Sequence, residues 1–402
     1  MRGRRLVYLA NARLPTEKAH GYQIVKMCEA FAQNGAKVLL LYPSRYQYDR
    51  SLTGKSMFDY YGVPPVFEAH KLLNLDIVPL NLFIPDSFFS AVFLGHALLW
   101  GFYAAIAARK EAADLYYTRD APIAYWLVRL GLPTVYEAHV VPKRGQRWLL
   151  QLIARYPSLR LTVVLTSFIK QKFVEMGVPA EKVMVLPDGV DLSLFEHLPV
   201  KDECRQRLGL PQDRAIIGYI GRFRTMEIEK GIPELVEAMA HLPSLNGKET
   251  LLLCVGGPMD TVPAYLDIAR HLGVLERRLK FVDRVHNREV PYWIRACDVV
   301  TIPWPWNEFS AYFTSPLKLF EYMAAGVPIV ASDLPSLREV LADEENVLLV
   351  KPGDSRQLCC TISRLLKDPA LRERLAQRSA QDVQRYTWKE RASKILDRVN
   401  CL

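Results

Sequence analysis

Short apolar strands alternate with helical stretches along nearly all of this 402-residue chain, and the alternation runs twice. In the first half the candidate strands are Leu6–Ala10, Lys37–Tyr42, Leu115–Thr118, Thr134–Glu137, Leu161–Thr166 and Val183–Leu186. In the second they are Ala215–Ile220, Leu251–Val255, Leu279–Val282, Val299–Ile302, Pro328–Ala331 and Val347–Val350. Runs this apolar belong to strands buried on both faces, which points to parallel sheets covered by helices on each side. The pattern predicts two doubly wound α/β domains joined near Phe195–Cys204. The expected division is 1–198, 199–384, and a closing helix over 385–402. That helix follows Tyr386-Thr387-Trp388 and carries apolar Ala392, Ile395, Leu396 and Val399. Ligands bind open α/β sheets at the carboxyl ends of their strands, so two facing sheets predict a site in an interdomain cleft.

Half of the residues are apolar, enough for two cores in a chain of this length. Seven scattered cysteines without a C-x-x-C spacing predict a reducing compartment rather than a disulfide framework or a zinc site. Arg2, Arg4 and Arg5 lead directly into a strand, so no cleavable signal is expected. The net charge of +9 calls for an anionic partner. No nucleic-acid module signature is present, which leaves phosphorylated substrates and anionic lipid. Ser87–Ala108 holds no Asp, Glu, Lys or Arg and is long enough to span a bilayer. A span would put strands Leu6–Ala10 and Leu115–Thr118 on opposite sides of a membrane, so a buried or membrane-surface helix is expected instead.

The densest motif is Thr314–Ser332. Pro316 suits a helix start, where its missing N–H costs nothing. The helix is expected from Leu317 to about Ala325, closed by Gly326 in the left-handed conformation and followed by a buried strand. Open amides at Thr314, Ser315, Leu317 and Lys318, with the helix dipole behind them, form an anion seat. Glu321, almost two turns in, is placed to accept hydrogen bonds from a ribose.

Other candidates fall at strand ends. Gly218-Tyr-Ile-Gly221-Arg222 closes one strand, and Lys230-Gly231 follows at a helix start. Arg222 as a fork and Lys230 as a point charge can clamp a diphosphate. Cys254-Val-Gly-Gly257-Pro258 reads as a tight strand-to-helix turn where backbone passes close to a neighbour or a ligand. Tyr136-Glu137-Ala138-His139 ends a strand and points Glu137 and His139 to one side, where His139 can bond a sugar hydroxyl or steady a developing charge. Asp120 and Asp191 read as helix caps. Amides around Ala19–Gly21 offer another phosphate contact. No Asp-x-Asp occurs, so the carboxylate pair that commonly holds a divalent cation beside a nucleotide sugar is missing. No spacing supports a hydrolase triad.

Ser315–Ser332, with Gly221-Arg222, Lys230-Gly231 and Gly189-Val-Asp191, resembles the family 4 retaining glycosyltransferases of GT-B fold. The likeness runs through the Tyr-Thr-Trp tail and implies two Rossmann-like domains, with the last helix crossing back to domain one. It implies that Arg222 and Lys230 bind the donor diphosphate and Glu321 the nucleotide ribose. The backbone at Ser315–Leu317 would hold phosphate, and His139 would lie near the transferred sugar. It further implies transfer with retention, no catalytic metal or other cofactor, and a donor phosphate that serves as base. Many relatives carry a first Glu eight residues before the second; Phe313 stands there in this chain, and Glu308 lies thirteen residues upstream of Glu321. The first loop has Thr-Glu-Lys-Ala-His-Gly21 where many have Gly-Gly.

The expected activity is transfer of a sugar from a nucleotide-diphosphate sugar to a glycan, lipid-linked or small-molecule acceptor, in the cytoplasm and in envelope polysaccharide synthesis. The rival readings are a nucleotide-sugar epimerase or hydrolase, and a non-catalytic scaffold that binds nucleotide sugar. Over 147–156, Trp148, Leu149, Leu152, Ile153 and Tyr156 share a helical face, with Lys143, Arg144, Arg147 and Arg155 nearby. Such a helix either packs on its own sheet or rests on anionic lipid at the inner membrane face.

Overall fold

The computed structural model describes residues 3–47, 49–77, 85–225, 227–244 and 247–401. They form two compact units, one of Met1–Pro187 with Trp388–Leu402 and one of Asp188–Thr387. The chain passes between units about ten residues earlier than the sequence suggests. Val190, Leu192 and Phe195 explain this: they pack into the core of the second unit, where Val190 N–H donates to the Tyr386 carbonyl at 2.9 Å.

The first unit holds seven strands: β1 (Arg5–Leu9), β2 (Lys37–Pro43), β3 (Glu68–Leu72), β4 (Leu115–Thr118), β5 (Thr134–Ala138), β6 (Leu159–Val164) and β7 (Val183–Val185). All pair in parallel, in the order β3-β2-β1-β4-β5-β6-β7. Strand β3 was not expected. Its sequence, Glu-Ala-His-Lys-Leu, has no apolar run because it is the outermost strand and none of its residues is fully buried.

The second unit has β8 (Ile216–Ile220), a hairpin of β9 (Arg224–Thr225) and β10 (Ile228–Glu229), then β11 (Leu251–Val255), β12 (Leu279–Val282), β13 (Val299–Ile302), β14 (Ile329–Ser332) and β15 (Leu348–Val350). The six-stranded parallel sheet runs β12-β11-β8-β13-β14-β15. This is the doubly wound order in which the first and fourth strands lie side by side, so β8 and β13 flank the switch point where such sheets bind ligands. Gly218 in β8 admits close helix packing, since a Cβ there would lie 2.4 Å from the Cys297 sulfur.

Helix Asp86–Arg109 belongs to the layer that covers the first sheet. Ala97, Trp100, Ala104, Ala105 and Ala108 are buried against Val7, Leu39 and Tyr116. Strands β1 and β4, which precede and follow it, pair directly, so this helix does not carry the chain across a bilayer. Helix Trp388–Asn400 packs on helix Ala19–Gln33 of the same unit, with the Trp388 and Tyr22 rings meeting edge to face at 6.4 Å.

In the second unit, helix Leu317–Ala325 has the expected bounds, with Gly326 at φ 61° closing it. Its buried Tyr322 hydroxyl accepts from Ile220 N–H at 2.7 Å and donates to the Ile220 carbonyl at 3.0 Å. These bonds fasten the helix to the last residue of β8. Tyr322→Phe strands two buried backbone groups and should cost about 1–3 kcal/mol, read as a lower urea midpoint. Tyr103→Phe, at an exposed position, is the control and should leave the midpoint unchanged.

Candidate functional site

Four segments meet at the carboxyl ends of β8, β11 and β13. After β8 the chain turns at Gly221, presents Arg222 and folds back through the β9–β10 hairpin to Lys230. Glu229 pairs with Arg224, and Lys230 N–H donates to the Phe223 carbonyl at 3.0 Å. The hairpin therefore closes on itself and brings Arg222 and Lys230 to its base despite the seven residues between them. Gly231 follows at φ 84°, and a Cβ there would lie 2.0 Å from the Pro303 carbonyl oxygen just beyond β13.

Two lysines flank one indole. Lys230 Nζ lies 4.5 Å from the centre of the Trp304 ring. Lys318 Nζ lies 3.7 Å from the Tyr219 ring centre and 5.9 Å from that of Trp304. Cation–π contacts contribute about 0.5–2 kcal/mol each, less than the cost of burying an unpaired ammonium. The Lys318 Nζ is buried with no hydrogen-bond partner. Burial first and the nearby Lys230 charge second push its pKa well below the usual lysine range, with Glu321 opposing. Burial also lowers Lys230. A cation cluster this poorly compensated favours an incoming anion.

Gly221 makes the Lys318 seat possible, since a Cβ there would lie 2.5 Å from its Nζ. No side chain caps the start of helix Leu317–Ala325, and its first-turn amides lie beside the lysines. Thr314 and Ser315 lead into it, and the Ser315 hydroxyl accepts from Asp188 N–H at 3.0 Å. One turn past Lys318, Glu321 is partly covered, and burial raises its pKa to about 7 against the pull of Lys318. At neutral pH it can both accept and donate. Arg222 is exposed, and its carbonyl accepts the Tyr219 hydroxyl at 2.7 Å.

One of the expected ligand contacts turns out to be a packing position. Gly21 N–H is engaged by the Lys18 carbonyl at 3.1 Å, and a Cβ at Gly21 would lie 2.1 Å from the Tyr61 hydroxyl. Its small size makes room for Tyr61, so its amide is not an open phosphate contact. The Gly257 carbonyl accepts Phe223 N–H at 2.7 Å, and its φ is 63°. That residue braces the Arg222 loop from behind. The sequence reading also missed Trp304 and Tyr219. Trp304 lies two residues past β13, a strand-end position that could have flagged it.

In the first unit, His139 follows β5 directly and pairs through Nε2 with Glu137. Asp120 caps helix Ala121–Arg129 by accepting Ile123 N–H at 3.1 Å. In helix Arg147–Ala154, Leu149, Leu150 and Ile153 are buried and Trp148 is 42% exposed. The helix packs on its own unit and leaves Trp148 outside. Among the described residues no group of three or more His, Cys, Asp or Glu side chains is placed to hold a metal ion.

A doubly wound sheet with clustered cations at its switch point defines the class of open α/β proteins that bind ligands at their strand ends. Comparison with known proteins narrows the class. The glycosyltransferase family 4 profile matches residues 21–194, and the glycosyl transferases group 1 profile matches 214–368. The chain is 30% identical over 295 residues to D-inositol 3-phosphate glycosyltransferase of Stackebrandtia nassauensis, covering 68% of this chain and 64% of that one. The match thus spans less than two thirds of that relative's length. HepE of Anabaena, solved in complex with UDP, superposes with a TM-score of 0.69 at 20% identity, over 99% of this chain and 100% of that one. Sucrose-phosphate synthase of Thermosynechococcus elongatus gives 0.72 at 22% identity, over 98% of each chain. The fold is GT-B. The chain belongs to the group 1, family 4 glycosyltransferases.

The raised pKa of Glu321 makes a pH-dependent contribution. Between the usual 4.5 and about 7 the folded chain keeps a proton that the unfolded chain has released. Stability from this group is therefore present at low pH and lost as pH rises through about 7. Glu321→Gln should gain on the wild type across that window by on the order of 1 kcal/mol, after discounting for partial exposure. Thermal melts of both proteins without nucleotide, from pH 5 to 8, measure the difference.

Proposed function

We propose that this protein transfers a sugar, with retention, from a nucleotide-diphosphate sugar to an acceptor. The observation that carries the reading is the Arg222, Lys230 and Lys318 cluster beside the open start of helix Leu317–Ala325. The three cations and the helix amides neutralise the diphosphate and stabilise the charge that builds on it as the glycosidic bond breaks. Glu321 bonds the ribose hydroxyls, and the diphosphate oxygen left on the departing nucleotide serves as base. His139 bonds a hydroxyl of the substrate. Three cations and one carboxylate make a poor divalent-cation site, so the side chains themselves supply the counter-charge and no catalytic metal is required.

UDP bound to HepE makes UDP the first donor base to try. The name of the Stackebrandtia relative adds a phosphorylated polyol to the glycan and lipid-linked acceptors. A decisive assay combines melting-temperature titration with UDP, GDP and ADP and turnover on the matching sugar nucleotides. One nucleotide should raise the melting temperature, and its sugar nucleotide should yield glycosylated acceptor. Arg222→Ala should weaken the stabilisation at least about tenfold in apparent Kd and lower turnover. An unchanged response in both refutes the diphosphate role. Donor hydrolysed or epimerised without acceptor identifies the rival enzyme class, and binding without turnover identifies a scaffold.

The working location we propose is cytoplasmic, at the inner membrane face, in synthesis of envelope polysaccharide. Five of the seven thiols are buried and none is bridged, in keeping with a reducing compartment. Leu73, Leu75 and Leu99 are 75–80% exposed, and Trp100 Nε1 donates to the Leu73 carbonyl at 3.2 Å, tying that loop to the helix bearing Leu99. Exposed Trp148 has Lys143, Arg144 and Arg147 around it in sequence. Apolar anchors with basic neighbours suit a surface of anionic lipid. Flotation with phosphatidylglycerol vesicles should recover the protein at low salt and lose it at high salt. Absence of flotation at low salt counts against the contact.

A further inference from the structure

Beneath His139 lies a buried ion pair for which the proposed chemistry has no use. Glu137, in β5, is 2% exposed, and its carboxylate meets three side chains from different parts of the first unit. Tyr117 of β4 approaches through its hydroxyl, and His139 through Nε2. Arg391 approaches from the closing helix, with Nη2 donating to Oε1 at 3.1 Å and Nη1 to Oε2 at 3.3 Å. Arg391 is itself buried, and its Nε donates to the Pro187 carbonyl at 2.9 Å. The last helix thus reaches through the core to the strand end that carries His139.

An ionised carboxylate only accepts hydrogen bonds, so every group around it must donate. Burial alone would raise the pKa of Glu137. The charge of Arg391 and the contact with His139 outweigh burial and hold the carboxyl well below its ordinary range. The carboxylate therefore requires a proton on His139 Nε2. In the neutral ring the lone pair then belongs to Nδ1.

We infer that Glu137, paired with Arg391, is a positioning residue that fixes His139 as the Nε2–H tautomer and holds its ring plane. The inference rests on the proposed role of His139, and its test separates the two. The carboxylate also sets the ring plane, because rotating the imidazole would break a charge-assisted bond to a rigid partner. An ordering device of this kind acts on turnover more than on donor affinity, since the donor diphosphate is bound by other residues.

The test is nitrogen-15 NMR of the full chain with labelled histidine, at a pH where the ring is neutral. The His139 signal is the one that disappears in His139→Ala. Wild type should show a protonated Nε2 and an unprotonated Nδ1. A predominant Nδ1–H tautomer in the wild-type protein overturns the inference. In Glu137→Gln, whose amide can donate as well as accept, the tautomer preference should weaken. Its kcat should fall at least about tenfold, with the donor KM within about twofold. Arg391→Lys, which keeps the charge, should retain the tautomer and most of the turnover. A Glu137→Gln variant with both tautomer and kcat unchanged also overturns the inference. If His139→Ala alone turns over normally, the substrate role of His139 fails while the tautomer result stands.

Discussion

The Tyr322 hydroxyl both gives and takes a hydrogen bond at Ile220, and those two bonds set how closely helix Leu317–Ala325 approaches the end of β8. The candidate nucleotide site depends on that distance. At the observed approach the Lys318 ammonium lies over the Tyr219 ring, in space that a side chain at Gly221 would fill. The open first turn of the helix is then held beside the loop that carries Arg222. Drawing the helix away would expose Lys318 to water and dissolve the charge cluster.

The site is built at a cost to the free protein. Lys318 has a buried amino group with no hydrogen-bond partner and a proton held only weakly, Lys230 sits across the same indole, and Glu321 is held partly protonated near neutrality. A bound anion relieves the two lysines, while Glu321 is relieved by hydroxyl donors, so a preference for a ligand carrying both is stored in the fold before any ligand arrives. Groups held this way need little rearrangement when charge develops on a leaving diphosphate. Two tight glycines, Gly231 against Pro303 and Gly256 against Gly221, keep the surrounding loops from relaxing around the cluster.

The first unit handles its buried charge in the opposite manner. Glu137 is fully matched by Arg391, Tyr117 and His139, so the pair rigidifies a strand end. Arg391 comes from the far end of the chain, and its bond to the Pro187 carbonyl ties the closing helix to the last residue of the unit's main segment. The closing helix thus acts as a brace for His139 as well as a cover for helix Ala19–Gln33.

Much of the architecture was legible in the chain. Strands with continuous apolar runs were readable because burial on both faces leaves a local mark; β4, β11 and β13 fall at the expected residues and are buried throughout. The same holds for helix Leu317–Ala325, whose start and stop are written in Pro316 and Gly326. Polar β3 escaped because an outer strand needs no apolar run. Gly21 was misread because a glycine looks alike whether it admits a ligand or a neighbour such as Tyr61. By itself the sequence determined two doubly wound units and the bounds of helix Leu317–Ala325, since periodicity and capping act over a few residues. Only the tertiary structure decided that Lys230 and Lys318 share Trp304, and that Arg391 reaches Glu137 across 254 positions. Those contacts arise from packing between distant segments, and no local pattern of residues encodes them.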